Sequence, residues 1–456
     1  MIIGHEYETI AAVASAPGVG AIAVVRVSGK DTAKVMGRVF EPALTESHRL
    51  YYGRVKDGDE VADEAMAVMM RAPRSYTRED MAEIYCHGGT LTVAAVMNVL
   101  CRNGARPAEP GEFTKRAFLN GRIDLSQAEA VMELIGAKTD LARRAVLRRL
   151  SGGLSRRIKD ARERILAWLA HIEVSIDYPE HEEEAMNLEM VREGAGELVG
   201  EIESLLATAK QGSRIKNGVP TVIAGRPNVG KSSLMNAILQ EDRAIVTEMA
   251  GTTRDTLTEA VTLRNVPIQL TDTAGIREGM DAAEKIGVER SVERAQSAEL
   301  VLHVVDRSVP LVDEDLRVAE MTGGLQKIIV FNKCDLPVSA GGDAMEALVC
   351  GDFPCVEVSA KTGEGLDELA RMIEGMFLDG AVSADGDVIT QVRHVYLLEG
   401  VVGYLRGVLG DIEIGMSEDI VSVGLKAAYV GLGEVIGEEV GDDVLDRVFG
   451  EFCLGK

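Results

Sequence analysis

Gly225-Arg226-Pro227-Asn228-Val229-Gly230-Lys231-Ser232 is the stretch that decides the fold of the middle of this chain. It matches the pattern G-x-x-x-x-G-K-[ST]. Thr221–Ala224 precedes it and reads as a buried strand; Ser233–Leu239 follows and reads as an apolar helix. A glycine turn between a strand and a helix is the context a phosphate-binding loop requires. The glycines let consecutive backbone N–H groups wrap phosphates, and the helix N-terminus adds positive potential. Lys231 is placed to reach the β and γ phosphates, and the Ser232 hydroxyl to bind Mg²⁺.

Three further motifs follow in a fixed order. Asp272-Thr273-Ala274-Gly275 comes after an apolar run; its aspartate suits Mg²⁺ through water, and the Gly275 N–H suits a γ-phosphate. Asn332-Lys333-Cys334-Asp335 follows another. The Asp335 carboxylate matches the two N–H donors on the edge of guanine, which adenine lacks. Ser359-Ala360-Lys361 offers a backbone N–H to guanine O6. The order of these motifs specifies GTP. After the Asp272–Gly275 motif, small GTPases carry a Gln that orients the attacking water. Here the position is Ile276, which cannot do so. Another polar group is required, and Glu278, Glu284 and Glu289 all lie in the next stretch; spacing alone does not choose among them.

Around the motifs, Val219–Phe377 alternates strands with amphipathic helices, the pattern of a parallel α/β sheet. Strands are expected at Ile268–Thr271, Leu300–Val305, Ile328–Phe331 and Cys355–Val358 besides Thr221–Ala224. Gln211–Gly218 and Leu378–Val388 read as linkers. The first 120 or so residues mix strands (Ala21–Val27, Ala65–Met70) with a helix at Thr90–Arg102, an α+β pattern. Ser126–Gln211 and 389–456 read as helical. An α/β domain is thus expected inside a helical one.

The chain has 456 residues, enough for roughly three domains, and 46% of them are hydrophobic. The net charge is −24. A field of that sign excludes global attraction to nucleic acid. Residues 143–164 run against it, with nine Arg/Lys and two acids; 172–203 carries eleven acids and one Arg. Such runs are usually solvated helix faces, and the alternative for the first is a patch that meets RNA phosphates. The six cysteines form no C-x-x-C pair, and scattered thiols fit a reducing cytoplasm. No apolar run reaches the ~18 residues of a membrane span, and the N-terminus lacks an export pattern.

The apolar residue after the Asp272–Gly275 motif, the loop Gly251-Thr252-Thr253-Arg254-Asp255 and the terminal Cys453-Leu454-Gly455-Lys456 resemble one family, the tRNA uridine-modification GTPases called MnmE or TrmE. So do Gly18–Gly29, Cys86-His87-Gly88-Gly89, Pro110–Thr114 and Ala117–Ala130, so that the resemblance covers the whole chain. It implies a multidomain α+β and α/β fold: a tetrahydrofolate-binding-like domain that also makes the homodimer (1–120), a discontinuous helical domain (121–217 and 380–456) and an inserted P-loop GTPase domain (218–379). It implies GTP-dependent modification of carbon 5 of a wobble uridine in certain tRNAs, in a heterotetramer with the flavoprotein MnmG. A formyl- or methylene-tetrahydrofolate would supply the one-carbon unit. By resemblance GTP is bound by Asn228 to Ser233, Thr247 to Thr253 (with Glu248, Met249, Ala250, Gly251 and Thr252 between), Asp272, Thr273, Ala274, Gly275 and the two base motifs. K⁺ falls to Asn228, Thr247, Met249 and Thr252, and Mg²⁺ to Ser232 and Thr253. Glu284 becomes the catalytic glutamate, and Cys453 is placed in the modification chemistry. Folate falls to Arg26, Glu83, Arg122 and Lys456; Arg122 stands where some members carry Lys. A related ribosome-assembly GTPase would carry a basic appendage, whereas the chain after Leu409 has eleven acids and three bases.

Overall fold

The computed structural model describes residues 8–177, 188–241, 258–272, 298–338, 353–378 and 387–456. They form two compact units. The first comprises Met1–Ile135, Arg148–Val199 and Leu397–Lys456; the second comprises Gly136–Leu147 and Gly200–Tyr396.

The chain begins with β1 (Ile10–Val13), β2 (Ile22–Ser28), α1 (Thr32–Val39), β3 (Phe40–Glu41), β4 (Leu50–Asp57), β5 (Glu60–Met70), β6 (Met81–His87), α2 (Thr90–Arg102), β7 (Arg106–Pro107), α3 (Glu112–Leu119) and α4 (Leu125–Gly136). The strands make a seven-stranded sheet in the order β3-β4-β5-β6-β2-β1-β7. Its pairings are antiparallel except that of β1 with β7. In β2, Ala23, Val25 and Val27 face a core shared with Val35 and Met36 of α1 and Val96 and Leu100 of α2. The register of β2 with β6 sets Arg26 directly opposite Glu83. The expected strand at Ala65–Met70 is the second half of β5, and α2 has the expected bounds.

Helices α5 (Asp140–Leu150), α6 (Gly153–Asp177), α7 (Leu188–Ala207) and α8 (Ala209–Asn217) follow. The basic run lies on α5 and α6 and is largely consumed by ion pairs. Arg149 is buried against Glu133, and Arg143 and Arg144 meet Asp140. Arg162 is buried against Glu438 and stacks 4.0 Å from the Tyr429 ring. Burying a guanidinium requires a partner, so Arg149 and Arg162 are structural, whereas Arg143 and Arg144 form exposed pairs. Arg156, Arg157 and Lys159 face solvent.

The linker expected at Gln211–Gly218 is instead helix α8. A buried Ile215 outweighs the helix penalty of Gly212: full burial contributes about 1.5–3 kcal/mol, against ~1 kcal/mol for a mid-helix Gly. Gly212 is needed there, because a Cβ would collide with the Ile389 carbonyl.

The second unit continues with β8 (Val219–Ala224), α9 (Lys231–Glu241), β9 (Thr258–Leu263), β10 (Val266–Asp272), β11 (Leu300–Asp306), α10 (Asp313–Met321), β12 (Lys327–Asn332), β13 (Cys355–Val358) and α11 (Leu366–Leu378). The sheet order is β13-β12-β11-β8-β10-β9. All five expected strands are present, but the sheet is not wholly parallel: β9 pairs antiparallel with β10 at the edge. A two-residue turn, Arg264-Asn265, suffices for that connection, whereas parallel pairing needs a crossover. Residues 300, 302 and 304 of β11 face one core, with Leu234 and Ile238 of α9 and Leu369 and Ile373 of α11. Val301 and Val305 face the α10 side.

The C-terminal part is α12 (Val392–Glu413), α13 (Glu418–Ile436) and α14 (Asp442–Gly450). Leu445 and Phe449 of α14 and Phe452 pack with Ala117, Leu125 and Ala128 of α3 and α4. The last residues are therefore built into the same unit as the first. Residues 379–386 of the second expected linker lie outside the described ones. Four cysteines, Cys86, Cys101, Cys334 and Cys453, are free thiols, while Cys355 is disulfide-bonded. The expectation of six scattered thiols is corrected to that extent; no C-x-x-C spacing announces the bond. Among the described residues no helix is long and apolar enough to cross a membrane.

Candidate functional site

The carboxyl ends of β8, β11, β12 and β13 lie on one edge of the second unit's sheet, where doubly wound folds hold their ligands. Each ends in a residue of interest: Gly225 after β8, Asp306 on β11, Asn332 on β12 and Ser359 after β13.

The loop 225–230 turns sharply. Asn228 has φ 65° and Gly230 φ 99°; a Cβ on Gly230 would collide with the Asn332 amide. α9 starts at Lys231, so the N–H groups of its first turn face the loop. Lys231 Nζ donates to the Gly225 and Arg226 carbonyls, both 2.9 Å. Ser232 and Ser233 are exposed at the helix start, as Mg²⁺ and phosphate ligands must be. Val229 is fully buried and anchors the loop. Arg226 is committed elsewhere: its Nε donates to the fully buried Asp315 of α10 at 3.0 Å. The loop therefore supplies no arginine free to contact phosphate.

The base motifs are joined to this loop. Asn332 Nδ2 donates to the Val229 carbonyl at 2.8 Å, and Asn332 Oδ1 accepts from the Ala360 N–H at 3.1 Å. One buried side chain thus links the phosphate loop to the Ser359–Lys361 turn. Ser359 Oγ donates to Asp335 Oδ1 at 2.8 Å. Asp335 is exposed, so its other oxygen is available to a base. Lys333 Nζ donates to the Asn228 carbonyl (3.1 Å) and to Asp306 Oδ2 (2.6 Å). Burial pushes the Asp306 carboxyl up, but bonds from Lys333 and Ser308 outweigh it and hold it below the usual carboxylate value. Asp306 and Asp315 lie outside the four motifs, and the sequence reading missed both. An acid closing the strand Leu300–Val305 was the available signal for the first.

Asp272 closes β10. Thr247, Glu248, Met249, Ala250, Gly251, Thr252, Thr253, Thr273, Ala274, Gly275 and Glu284 lie outside the described residues.

The four residues expected at the second site come together in the first unit. Arg26 Nε and Nη2 donate to Glu83 Oε1 at 2.9 and 2.8 Å, and Tyr85 Oη donates to Glu83 Oε2 at 2.8 Å. Arg26 Nη1 donates to the Gly455 carbonyl at 3.2 Å, tying β2 to the chain's end. The Phe113 N–H donates to the Lys456 carbonyl at 3.1 Å. Burial pushes the Lys456 ammonium down, and nearby Arg26 adds to this. Tyr76, which the sequence reading missed, has the Arg26 guanidinium 5.3 Å and the Arg122 guanidinium 4.4 Å from its ring centre. Cations over an aromatic face are attracted by its quadrupole. Cys453 is exposed beside this group, and its carbonyl accepts from the Gly111 N–H at 3.4 Å.

Comparison with known proteins places the whole chain in one family. The family described as GTP-binding protein TrmE N-terminus matches residues 9–122, and the MnmE helical domain matches residues 125–453. A tRNA modification GTPase MnmE from Listeria innocua is 46% identical over 457 residues, covering 99% of this chain and 100% of the relative. One from Geobacillus thermodenitrificans is 46% identical over 462 residues with the same coverage. Among solved structures, Aquifex aeolicus Era bound to GDP and AlF4⁻ is 25% identical, covering 41% of this chain and 66% of that one at a TM-score of 0.28. Full-length identity and two matching domain families lead to one conclusion: the chain belongs to the MnmE/TrmE family of tRNA modification GTPases.

Proposed function

We propose that this protein hydrolyses GTP to drive modification of carbon 5 of the wobble uridine in certain tRNAs, leaving an aminomethyl or carboxymethylaminomethyl group. It acts with the flavoprotein MnmG in a heterotetramer built on a homodimer, in the cytoplasm. The observation that carries this reading is the assembly of Arg26, Glu83, Tyr76, Arg122 and the terminal Lys456 in one chain with a guanine-nucleotide site.

That assembly suits a folate in its charges and in offering an aromatic face. Arg26 is paired with Glu83, Lys456 lies near both, and Arg122 stacks on Tyr76, whose ring also meets Arg26; cations suit a ligand carrying carboxylates. Glu83 is the acceptor for the ligand's ring N–H donors, held in place by Arg26 and Tyr85. A bound folate would supply the one-carbon unit. Cys453, exposed near the same group, is assigned to the modification chemistry. In the nucleotide site Ser232 and Thr253 would hold Mg²⁺, and Asn228 with Thr247, Met249 and Thr252 would hold K⁺, a cation that would supply the charge compensation an arginine otherwise gives. The Arg226–Asp315 pair supports that choice. Glu284 orients the water. The division at 1–120, 121–217, 218–379 and 380–456 goes with this reading.

The test is nucleoside analysis of tRNA from a deletion strain, with a pulldown for a flavoprotein. A wobble uridine bare at carbon 5 and a co-purifying flavoprotein are expected. Fully modified tRNA in that strain refutes the proposal.

A further inference from the structure

We infer that Asp306, a carboxylate outside the four nucleotide motifs, is a positioning residue of the GTP site that acts through Lys333 on the phosphate loop. Asn228 and Lys333 are both non-glycine residues in the left-handed region, with φ 65° and 66°. Such a conformation is costly for a residue other than glycine and persists only where its surroundings over-determine it. These two stand at the ends of one hydrogen bond, from Lys333 Nζ to the Asn228 carbonyl. The strained turn of the phosphate loop and the strained start of the base motif therefore support each other.

That bond needs its ammonium held in place. Lys333 is a long side chain, 34% exposed, with three donors and free rotation. Solvent or a nucleotide phosphate competes for it. Asp306 supplies the opposing hold. Its Oδ2 takes Lys333 at 2.6 Å, while its Oδ1 takes the Ser308 N–H at 3.0 Å and the Ser308 hydroxyl at 2.6 Å. Asp306 is only 6% exposed and lies opposite Asn332 in the β11–β12 register, so its position is set by the sheet. The rigid β11 end thus fixes Lys333, and Lys333 fixes Asn228. Asn332 ties down the neighbouring Val229 carbonyl. Two adjacent loop carbonyls are held by adjacent residues, and only one of these residues is a charge in need of a counter-charge. The loop is pre-organised before nucleotide arrives, which lowers the ordering cost of binding.

The experiment uses the full chain. Asp306→Asn keeps the Oδ1 acceptor for Ser308 and turns an amide donor toward Lys333. Affinities for fluorescent GTP and GDP analogues are measured well below the melting temperature, with the melting temperature recorded separately. Asp306→Asn is expected to weaken both about tenfold, the size of coupling between groups in direct contact. Asp306→Glu is expected to recover part of the loss. Lys333→Met is expected to lose a similar factor, and the double variant no more than the weaker-binding single one. Affinity within twofold of wild type in Asp306→Asn, whatever its melting temperature, overturns the inference; so do losses that multiply in the double variant. If Asp306→Asn does not fold, Asp306→Ser takes its place in the same cycle, and the same two outcomes overturn the inference.

Discussion

His303 is expected to make the GTPase unit lose stability in acid, by an amount that follows from its surroundings. It lies on β11, is 0% exposed, and neither ring nitrogen has a hydrogen-bond partner. Its Cα partners are Ala224 and Ile329. The buried Lys327 adds a like charge, although its own ammonium is pushed down by burial and donates to the Ala319 carbonyl. Desolvation first and Lys327 second depress His303 from 6.5 to about 4. Unfolding restores the ordinary value, so between those limits the unfolded chain binds more protons. The folded state is therefore fully favoured above pH ~6.5 and loses ground as pH falls toward 4. From pH 7 to pH 4.5 the loss from this group is on the order of 2 kcal/mol, taking ~1.4 kcal/mol per pKa unit. In His303→Leu this part of the slope disappears, while slopes from other groups remain. The assay is hydrogen exchange by mass spectrometry on peptides spanning 300–306, corrected for intrinsic pH dependence, at pH 7 and 4.5. Trp168 fluorescence reports on the other unit as a control. Equal pH slopes in wild type and His303→Leu refute the reasoning.

Other outcomes follow from the two sites. Asp335→Asn should weaken GTP and favour xanthosine nucleotides, because an amide can donate to xanthine's extra carbonyl; Asn still accepts from Ser359, so a competition assay reads base choice rather than collapse of the turn. Glu83→Ala should abolish binding of formyl-tetrahydrofolate, since the acceptor is lost and Arg26 is left without its carboxylate, and calorimetry at wild-type affinity would reject that role. GTP affinity should be unchanged in the same variant. Glu284→Ala should lower kcat by about 10²-fold or more with GTP binding intact; near-normal turnover moves the role to Glu278.

The nucleotide fold was legible locally because its chemistry is local. A phosphate loop works through consecutive backbone N–H groups, so its residues must be adjacent in the chain, and spacing alone reveals them. The five strands around it were equally legible, because buried parallel strands are short apolar runs. The edge strand β9 was not: Thr-Glu-Ala-Val-Thr-Leu is neither a continuous apolar run nor a clean alternation, and nothing in Thr258–Leu263 says which way it pairs. α8 was lost for a related reason. Its Gly, Ser and Asn are turn residues by propensity, and only the packing of Gly212 on Ile389 and the burial of Ile215 make them helix.

The second site shows the division most sharply. Arg26, Glu83, Arg122 and Lys456 lie on separate segments, and no local pattern connects them; only the family resemblance grouped them. In the fold, the β2–β6 register sets Arg26 against Glu83, and α14 packing on α3 and α4 brings Lys456 to the same place. Tyr76 was invisible for the same reason, since its partners Arg26 and Arg122 lie on distant segments. The basic run 143–164 tells the converse. Charge counting read it as a solvated helix face, with a patch for RNA phosphates as the alternative, but whether an arginine faces solvent or a buried carboxylate depends on which helix face is covered. Glu133 and Glu438 decided that for Arg149 and Arg162. Sequence alone determined what is held by neighbours along the chain; groups that must meet across it, at an energy set by burial and partner, were decided by the tertiary structure.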